Sequence, residues 1–275
     1  LPSRFAGKTV VEGQRKFMGT LWNTYAFFVL YANIDNFDAT KYTLDYDKLS
    51  VMDKWLLSRL ESTVQAVDDN NWYVRRSRER FWAKGMEQDK INAYMTLYTA
   101  LVDISKTAAP MIPFMTEDIY QNLVKSIDDA APESIHLCDY PVVKTEWIDQ
   151  KLEEDMADLL EVVVMGRACR NTANIKNRQP IGKMFVKSGF VLDQFYTEII
   201  ADELNVKEVE FTDDIADFIS YTFKPQMRTV GPKYGKLLNK IKTVLSELNG
   251  NSAMQELKST GELKLDIDGQ EIVLL

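Results

Sequence analysis

Residues 71–82 read NWYVRRSRERFW, a stretch that combines four arginines with four aromatic residues. Over a length of about three helical turns, the spacing predicts a helix with distinct faces. Val74 and Phe81 stand seven residues apart and form an apolar stripe for packing. The two other faces are cationic, one with Arg76, Arg80 and Lys84 and the other with Arg75, Arg78 and Trp82.

The arginines of this helix predict contact with a phosphate backbone. A guanidinium group forms paired hydrogen bonds with phosphate oxygens and also stacks on aromatic rings. Arginines on a helix also pair with acidic neighbours, so a purely structural role stays open. The tryptophans fall in apolar periodic runs and are predicted to pack between helices rather than to stack on bases; they are Trp22, Trp55, Trp72 and Trp82.

Apolar residues keep helical spacing on both sides of this stretch. The predicted helices cover residues 10–29, 48–67, 71–84, 89–107 and 116–127. Pro110 and Pro113 separate the last two helices, because proline stops one helix and favours the first turn of the next. We therefore predict an N-terminal helical bundle over residues 1–143.

The remaining part, residues 144–275, is predicted to form a long linking helix and a small mixed α+β domain. Beyond Pro180 the hydrophobic period shortens towards that of strands. The predicted elements are a helix at 146–174, strands at 183–190, 206–211 and 219–225, helices at 191–204 and 231–248, and a hairpin at 262–275 with its turn at Asp268–Gly269. The predicted fold class is mainly α.

Composition limits the kinds of protein that this sequence can be. The 275 residues are 45% hydrophobic, enough for two domains, and no apolar run approaches the roughly 20 residues of a membrane span. Cys138 and Cys169 lie far apart without a CxxC pair, so we predict neither a zinc site nor a disulfide framework, and expect reduced thiols in the cytoplasm. The first residues, LPSRFAGK, look like the start of an excised fragment.

The net charge of -8 disfavours a nucleic-acid partner, but its distribution favours one. Residues 162–192 and 218–246 contain no Asp or Glu and carry six basic residues each, which leaves -20 for the rest of the chain. Solvated charge is the alternative explanation. The candidate RNA-binding residues are Arg75, Arg76, Arg78 and Arg80 in the bundle and Arg167, Arg170, Lys176, Arg178, Arg228, Lys233, Lys236 and Lys240 in the C-terminal part.

Six blocks of sequence resemble one family over almost the whole chain. They are KFMGTLWNTYAFFVLYANID (16–35), DKWLLSRL (53–60), NWYVRRSRERFW (71–82), APMIPFMTEDIYQNL (109–123), RQPI (178–181) and ELNVKEVEF (203–211). These blocks resemble the C-terminal half of isoleucyl-tRNA synthetases, a class I group related to the valine and leucine enzymes. The mixed tail resembles their eukaryote-like branch rather than the type with a terminal zinc module.

The resemblance implies that the bundle binds the anticodon and that the mixed domain extends contact with the anticodon region of isoleucine tRNA. Activation of isoleucine by ATP and Mg would occur in a catalytic domain outside this sequence, since HIGH-like and KMSKS-like motifs do not occur here. The fragment is therefore expected to be noncatalytic and to bind no cofactor or metal, and its single histidine, His136, to lie in a packed or solvated loop. Expected partners are isoleucine tRNA and the parent catalytic domain, with the protein a monomer and not attached to a membrane.

One feature departs from the family pattern. Family members carry another helix between the counterparts of Leu60 and Asn71, whereas ESTVQAVDDN joins these positions directly. Either the helix was lost, or the sequence joins the two sides of a missing segment near residues 68–71. We favour the second, because loss of a bundle helix would expose apolar surface and leave Val64 and Val67 without partners.

Two other functions stay open for the chain as a whole. Arginine and tryptophan are enriched in protein hot spots, so the chain could be a helical module that docks the parent catalytic body or another protein. It could also be the same region of a valine or leucine tRNA ligase.

Overall fold

The computed structural model describes residues 7–62, 66–212, 221–267 and 269–274. The chain divides into two compact units, Leu1–Glu161 and Val162–Leu275. The division falls inside a long helix, beyond the boundary expected at residue 143. Most described residues are helical and the strands form small pairs, which confirms the predicted fold class.

The first unit is helical throughout its regular structure in the described ranges. Its α-helices are α1 (Gly7–Gln14), α2 (Thr20–Asp35), α3 (Val51–Ser62), α4 (Ala66–Trp82), α5 (Gln88–Ala108) and α6 (Pro113–Tyr120), followed by the N-terminal part of α7 (Gln150–Thr172). Short π-helical turns occupy Arg15–Gly19 and Gln121–Lys125, and 3-10 turns occupy Ala39–Lys41, Tyr46–Lys48, Ile135–Leu137 and Thr145–Trp147.

Helix α5 lies at the centre of this bundle and packs against α2, α3, α4 and α6. Six consecutive residues of α5, at positions 92–97, are buried, as expected for a helix that is covered on several sides. Rings from three helices meet around Tyr94, where Phe28 and Phe81 pack edge-on at 5.8 Å and 4.9 Å between centroids. Edge-on aromatic pairs are stabilising beyond the area that they bury, so this cluster helps to hold α2 and α4 on α5.

Helix α3 begins at a reciprocal cap. The backbone N–H of Ser50 donates to Oδ2 of Asp53 at 3.1 Å, and the N–H of Asp53 donates to Oγ of Ser50 at 3.2 Å. This arrangement satisfies N–H groups that have no partner inside the helix. It also sets the start of α3 at Val51 and places the Asp53 carboxylate inside the bundle.

The second unit contains the C-terminal part of α7 and two small α+β arrangements. In the first, β1 (Ile181–Val186) and β2 (Val206–Phe211) pair in parallel and are connected through α8 (Gln194–Leu204). The second contains α9 (Met227–Tyr234), a 3-10 turn (Gly235–Leu237), α10 (Leu238–Glu247), α11 (Gly250–Thr260) and the antiparallel hairpin of β3 (Leu263–Ile267) with β4 (Gln270–Leu274).

The predicted hairpin is confirmed. Ile267 pairs with Gln270, and Gly269 has a positive φ of 79° that suits a tight turn, while Asp268, the other residue of the predicted turn, lies outside the described residues. Alternate β3 residues face a core that also receives Ile241 and Leu245 from α10. The alternation of apolar and polar residues in this segment therefore predicted correctly which side chains are buried.

Three predictions for this unit need correction. Residues 221–225 form no strand, because the N–H of Tyr221 donates to the Asn251 side chain at 3.2 Å and Pro225 has no N–H to donate; 219 and 220 lie outside the described residues. The helix expected at 231–248 is divided by the turn at Gly235–Leu237. Helix α11 was not predicted, although Asn249 caps its first turn and Gly261 ends it with a φ of 77°.

Candidate nucleic-acid interface

Helix α4 places its arginines in different environments. Val74 and Phe81 are buried, as their spacing predicted. Arg75 and Arg78 are exposed, whereas Arg76 is half-buried. The face with Arg75, Arg78 and Trp82 is therefore the solvent-facing side of this helix.

Arg80 points the other way, into the bundle. Its Nη1 and Nη2 donate to the two carboxylate oxygens of Asp53 at 2.7 Å and 2.8 Å, and its Nε donates to Asp89 at 2.9 Å. Asp53 is fully buried and also accepts a hydrogen bond from the hydroxyl of Tyr73. Burial disfavours the charged guanidinium, but the hydrogen bonds with Asp53 outweigh this effect and raise the pKa of Arg80.

This network corrects the prediction that Arg80 binds RNA. The guanidinium is only 17% exposed, and a phosphate could bind it only by displacing Asp53 or Asp89. Removing that pairing would leave the Asp53 carboxylate buried without its cation, which is strongly unfavourable. Pairing with acidic neighbours, the structural alternative, therefore describes Arg80.

The tryptophans are less uniformly buried than predicted. Trp55 is 2% exposed and packs edge-on against Trp72, with ring centroids 5.3 Å apart. Trp82 is 57% exposed, and its Nε1 donates to the hydroxyl of Tyr31 at 2.7 Å. Trp22 is 41% exposed. Trp82 therefore lies at the surface at the end of α4 and contacts α2 through Tyr31, rather than lying in the bundle core.

The segment after α7 forms an exposed basic loop, defined here as residues 173–180. Asn174 adopts a left-handed φ of 54°, and the N–H of Ile175 donates to the carbonyl of Arg170 at 2.9 Å, a pattern that ends helices. The side chains of Lys176 and Arg178 are exposed on this loop. The loop lies within residues 162–192, the first of the two stretches without Asp or Glu, which we call the acid-free windows.

Arg170 holds this basic loop in place through hydrogen bonds to backbone carbonyls. It is 3% exposed, and it donates to the carbonyls of Lys176, Gln179 and Asn205, each at 3.0 Å. A buried guanidinium that donates to carbonyls cannot also bind a phosphate, so the prediction that Arg170 contacts RNA is corrected. Sequence reasoning missed its positioning role because the third carbonyl lies 35 residues away along the chain.

Arg167 is engaged as well, one turn earlier on α7. Its Nη2 donates to the Glu203 carboxylate on α8, and the Arg167 side chain is 40% exposed while that of Glu203 is 5% exposed. Leu204 lies against Gly166, where a Cβ would come within 2.3 Å of Leu204 Cδ1. A larger residue at position 166 would therefore force the Leu204 side chain to shift.

The other basic residues lie on α9, α10 and the turn between them. Ile241 and Leu245 of α10 are buried against the hairpin. Four candidate residues in this region have exposed side chains, namely Arg228, Lys233, Lys236 and Lys240. We call these four residues the basic helix face.

The structure therefore brings the predicted residues into separate groups. Arg75 and Arg78 are exposed in the first unit, while the basic loop and the basic helix face belong to the second unit. His136 is exposed within the 3-10 turn Ile135–Leu137, which Ser134 caps, in agreement with a solvated loop position. Within the described ranges, no three His, Cys, Asp or Glu residues are grouped to hold a metal ion, and no helix is long and apolar enough to cross a membrane.

Comparisons with known proteins give a consistent assignment. Residues 67–185 match a family model described as the anticodon-binding domain of tRNA ligase. The chain is 44% identical over 295 aligned positions to Isoleucine--tRNA ligase of Clostridium acetobutylicum, covering 100% of this chain and 28% of that protein. It is 41% identical to the Clostridium tetani protein of the same name, with the same coverage, and 41% identical to Isoleucine--tRNA ligase 2 of Bacillus cereus, covering 94% of this chain and 26% of that protein.

Two lengths follow from these alignments. The chain spans about 28% of the length of the two Clostridium relatives. The alignment with the Clostridium acetobutylicum protein covers all 275 residues of the chain in 295 positions, so that relative has at least 20 residues without a counterpart here. The predicted missing segment near residues 68–71 stays a prediction; α4 runs through these positions, while Val64 and the side chain of Val67 are outside what is described.

Proposed function

Because residues 67–185 match the family model of the anticodon-binding domain of tRNA ligase, we propose that this chain is the tRNA-binding portion of an isoleucine–tRNA ligase. Its role is to bind the anticodon stem-loop of isoleucine tRNA so that the parent enzyme can charge that tRNA. The fragment itself is noncatalytic, and ATP and Mg act in the catalytic domain of the parent. We further propose a cytoplasmic, monomeric protein.

The observation that best supports RNA binding is the basic loop. Lys176 and Arg178 are exposed within the region that matches the anticodon-binding family, and Arg170 fixes the backbone that carries them. An ordered backbone presents cations with little loss of conformational entropy on binding. The segment also contains no acidic residue that would repel phosphate.

Binding is tested by titrating the chain with an isoleucine tRNA transcript over a range of salt concentrations. Several phosphate contacts require a steep negative slope of log affinity against log salt. Arg178→Ala and Lys236→Ala are each expected to lower that slope by about one unit and to weaken binding about eightfold at 0.1 M salt. Lys41→Ala is the matched control, since it removes one exposed cation outside the candidate set and should leave the slope unchanged.

Specificity needs a second arm of the same experiment. Isoleucine tRNA should bind more tightly than valine or leucine tRNA, and substitution of its anticodon should weaken binding. A flat salt slope, or equal binding of all transcripts, would refute recognition of isoleucine tRNA. The names of the relatives favour isoleucine over the valine and leucine alternatives.

Docking to the parent catalytic body is the second candidate function, and it is favoured by one observation. The exposed face of α4 combines Arg75 and Arg78 with a tryptophan that is more than half exposed, a combination typical of protein hot spots. If this face binds protein, Arg78→Ala should leave the salt slope for tRNA unchanged. If it binds RNA, the slope should fall.

A further inference from the structure

Within the basic loop, residues 176–179 form a tight turn. The N–H of Gln179 donates to the carbonyl of Lys176 at 2.9 Å and closes the turn. The positive φ angles of the described chain lie elsewhere, so the two central residues, Asn177 and Arg178, both have negative φ. Negative φ at both central positions, together with the closing hydrogen bond, indicates a type I turn.

The carbonyl groups of this turn are directed towards the protein. Nη1 of Arg170 donates to the carbonyls of Lys176 and Gln179, each at 3.0 Å. Between these two positions, the carbonyl of Asn177 accepts from Nδ2 of Asn205 at 3.1 Å. Three carbonyl oxygens of the turn are therefore occupied by donors of the protein and do not face a ligand.

The N–H groups that adjoin these carbonyls point the opposite way. In a planar trans peptide unit, the C=O of one residue and the N–H of the next are antiparallel. The N–H of Asn177 is therefore directed away from Arg170, and the N–H of Arg178 is directed away from Asn205. Neither of these N–H groups has an acceptor among the residues that the structure describes. The turn thus presents two adjacent backbone donors to solvent.

The charges around these donors favour an anion. The side chains of Lys176 and Arg178 belong to the same turn and are exposed. The carbonyl end of α7 carries partial negative charge, but the guanidinium of Arg170 lies at that end and offsets it. The nearest acidic residues along the chain are Glu161 and Asp193. Successive N–H groups in a turn form an anion-binding arrangement, and the two cations add full positive charge to it.

We propose that residues 176–179 are a phosphate-binding turn. The N–H groups of Asn177 and Arg178, with the side chains of Lys176 and Arg178, hold one phosphate group of the tRNA backbone. The identity of this ligand rests on the proposed function. A phosphate contact carries no sequence information, so the turn fixes the position of the RNA backbone on the chain, and discrimination among tRNAs comes from other contacts.

Two substitutions at position 177 separate the backbone donor from the side chain. Asn177→Pro removes the N–H, and proline is favoured at the first central position of a type I turn. Asn177→Ala removes the side-chain amide and keeps the N–H. The carbonyl that accepts from Asn205 is present in both variants, so the Tm of each should stay close to that of the unmodified chain.

Inorganic triphosphate tests the turn without RNA. In amide-detected NMR of the full chain, the resonances of Asn177 and Arg178 should shift on titration with triphosphate and follow one common saturation curve. Sodium chloride at equal ionic strength should not shift them. The Arg178 amide should require at least about fivefold more triphosphate in Asn177→Pro, but remain within about twofold in Asn177→Ala.

The same variants test the contact with RNA. Loss of one hydrogen bond to a charged acceptor should weaken binding of isoleucine tRNA by Asn177→Pro about tenfold at every salt concentration. The salt slope should stay unchanged, because a neutral N–H releases no counterion, whereas Lys176→Ala should lower the slope by about one unit. Valine and leucine tRNA should lose affinity by the same factor in Asn177→Pro, and Asn177→Ala should bind within about twofold of the unmodified chain.

The outcomes separate this proposal from the proposed function. An unmodified chain that binds no tRNA would refute the proposed function, and the triphosphate titration alone would then decide whether the turn is a phosphate site. The phosphate-binding turn is overturned if triphosphate leaves both amides unshifted or if Asn177→Pro and Asn177→Ala act alike. It is also overturned if the loss in Asn177→Pro is confined to isoleucine tRNA, because a base contact would then be responsible.

Discussion

At the residue scale, neighbouring arginines of one helix have opposite roles. Arg78 and Arg80 are two positions apart, a separation that places side chains on different sides of a helix. Arg78 is exposed, while Arg80 forms a paired contact with the buried carboxylate of Asp53. A charged residue in the sequence is therefore not enough to identify a ligand contact. The side of the helix on which the residue lies decides whether it is accessible to a ligand.

Removal of these two arginines should have different effects on stability. Arg80→Met leaves Asp53 buried without its cation, and we expect the free energy of unfolding to fall by about 3 kcal/mol. Arg78→Met should change it by less than about 0.5 kcal/mol. Urea unfolding followed by circular dichroism measures both, and equal effects would contradict the structural role of Arg80.

Asp103 gives the first unit a pH dependence of known sign. Burial raises the pKa of Asp103 in the folded state, so the folded chain binds this proton more tightly than the unfolded chain does. The unfavourable contribution of the ionised carboxyl is absent below the usual pKa of Asp and develops as pH rises through the raised, folded-state pKa. Above that range, the folded chain carries the full cost.

Asp103→Asn should therefore raise the Tm at pH 7, and this gain should shrink as pH falls towards 4. Asp118→Asn, which changes an exposed carboxyl in the same unit, should give no comparable gain. Thermal unfolding at a series of pH values measures both variants. A gain that grows on acidification would show that Asp103 is stabilised rather than penalised by burial.

At the element scale, the candidate RNA contacts depend on how α7 ends. The left-handed Asn174 closes the helix, and Arg170 ties the basic loop to the turn at Asn205 before β2. The exposed cations Lys176 and Arg178 therefore stand on a backbone held by a buried third cation. Arg170, Lys176 and Arg178 all lie within residues 162–192, which contain no Asp or Glu. Only the structure shows that Arg170 supports the loop, whereas Lys176 and Arg178 are candidate RNA contacts.

Arg170→Met should release the basic loop. Loss of three charge-assisted hydrogen bonds is expected to lower the stability of the second unit by about 3 kcal/mol and to expose three carbonyls to water. Trypsin should then cleave after Lys176 and Arg178 several times faster than in the parent chain. Cys169→Ala, an exposed change one residue earlier, is the control; unchanged cleavage in Arg170→Met would mean that the loop is held by other contacts.

At the scale of the whole molecule, periodicity predicted the bundle and the hairpin because both bury one regular face. Val74 and Phe81 in α4, and the alternate residues of β3, are examples. The predictions of secondary structure and of the domain boundary fail where contacts between residues far apart in the sequence determine the local structure. Asn251 draws the N–H of Tyr221 away from strand pairing, and the division of the chain at Glu161 interrupts neither the helix nor its pattern.

The candidate site was predictable to a similar extent. Composition identified both acid-free windows, and the exposed Lys176, Arg178 and basic helix face agree with them. Burial of Arg80 and Arg170 was not predictable, since their partners Asp53 and Asn205 are 27 and 35 residues away.

The exposed indole of Trp82 offers an optical consequence. Its ring is 57% exposed on the same side of α4 as Arg75 and Arg78, and its Nε1–H is anchored to Tyr31, so it reports on one defined surface. Substituting Trp82 by Phe and subtracting the two emission spectra isolates its signal from that of the other indoles. A stacked base should quench the Trp82 emission, whereas a protein that covers the indole should shift the emission to shorter wavelength. The spectrum therefore distinguishes RNA from protein as the ligand of this surface.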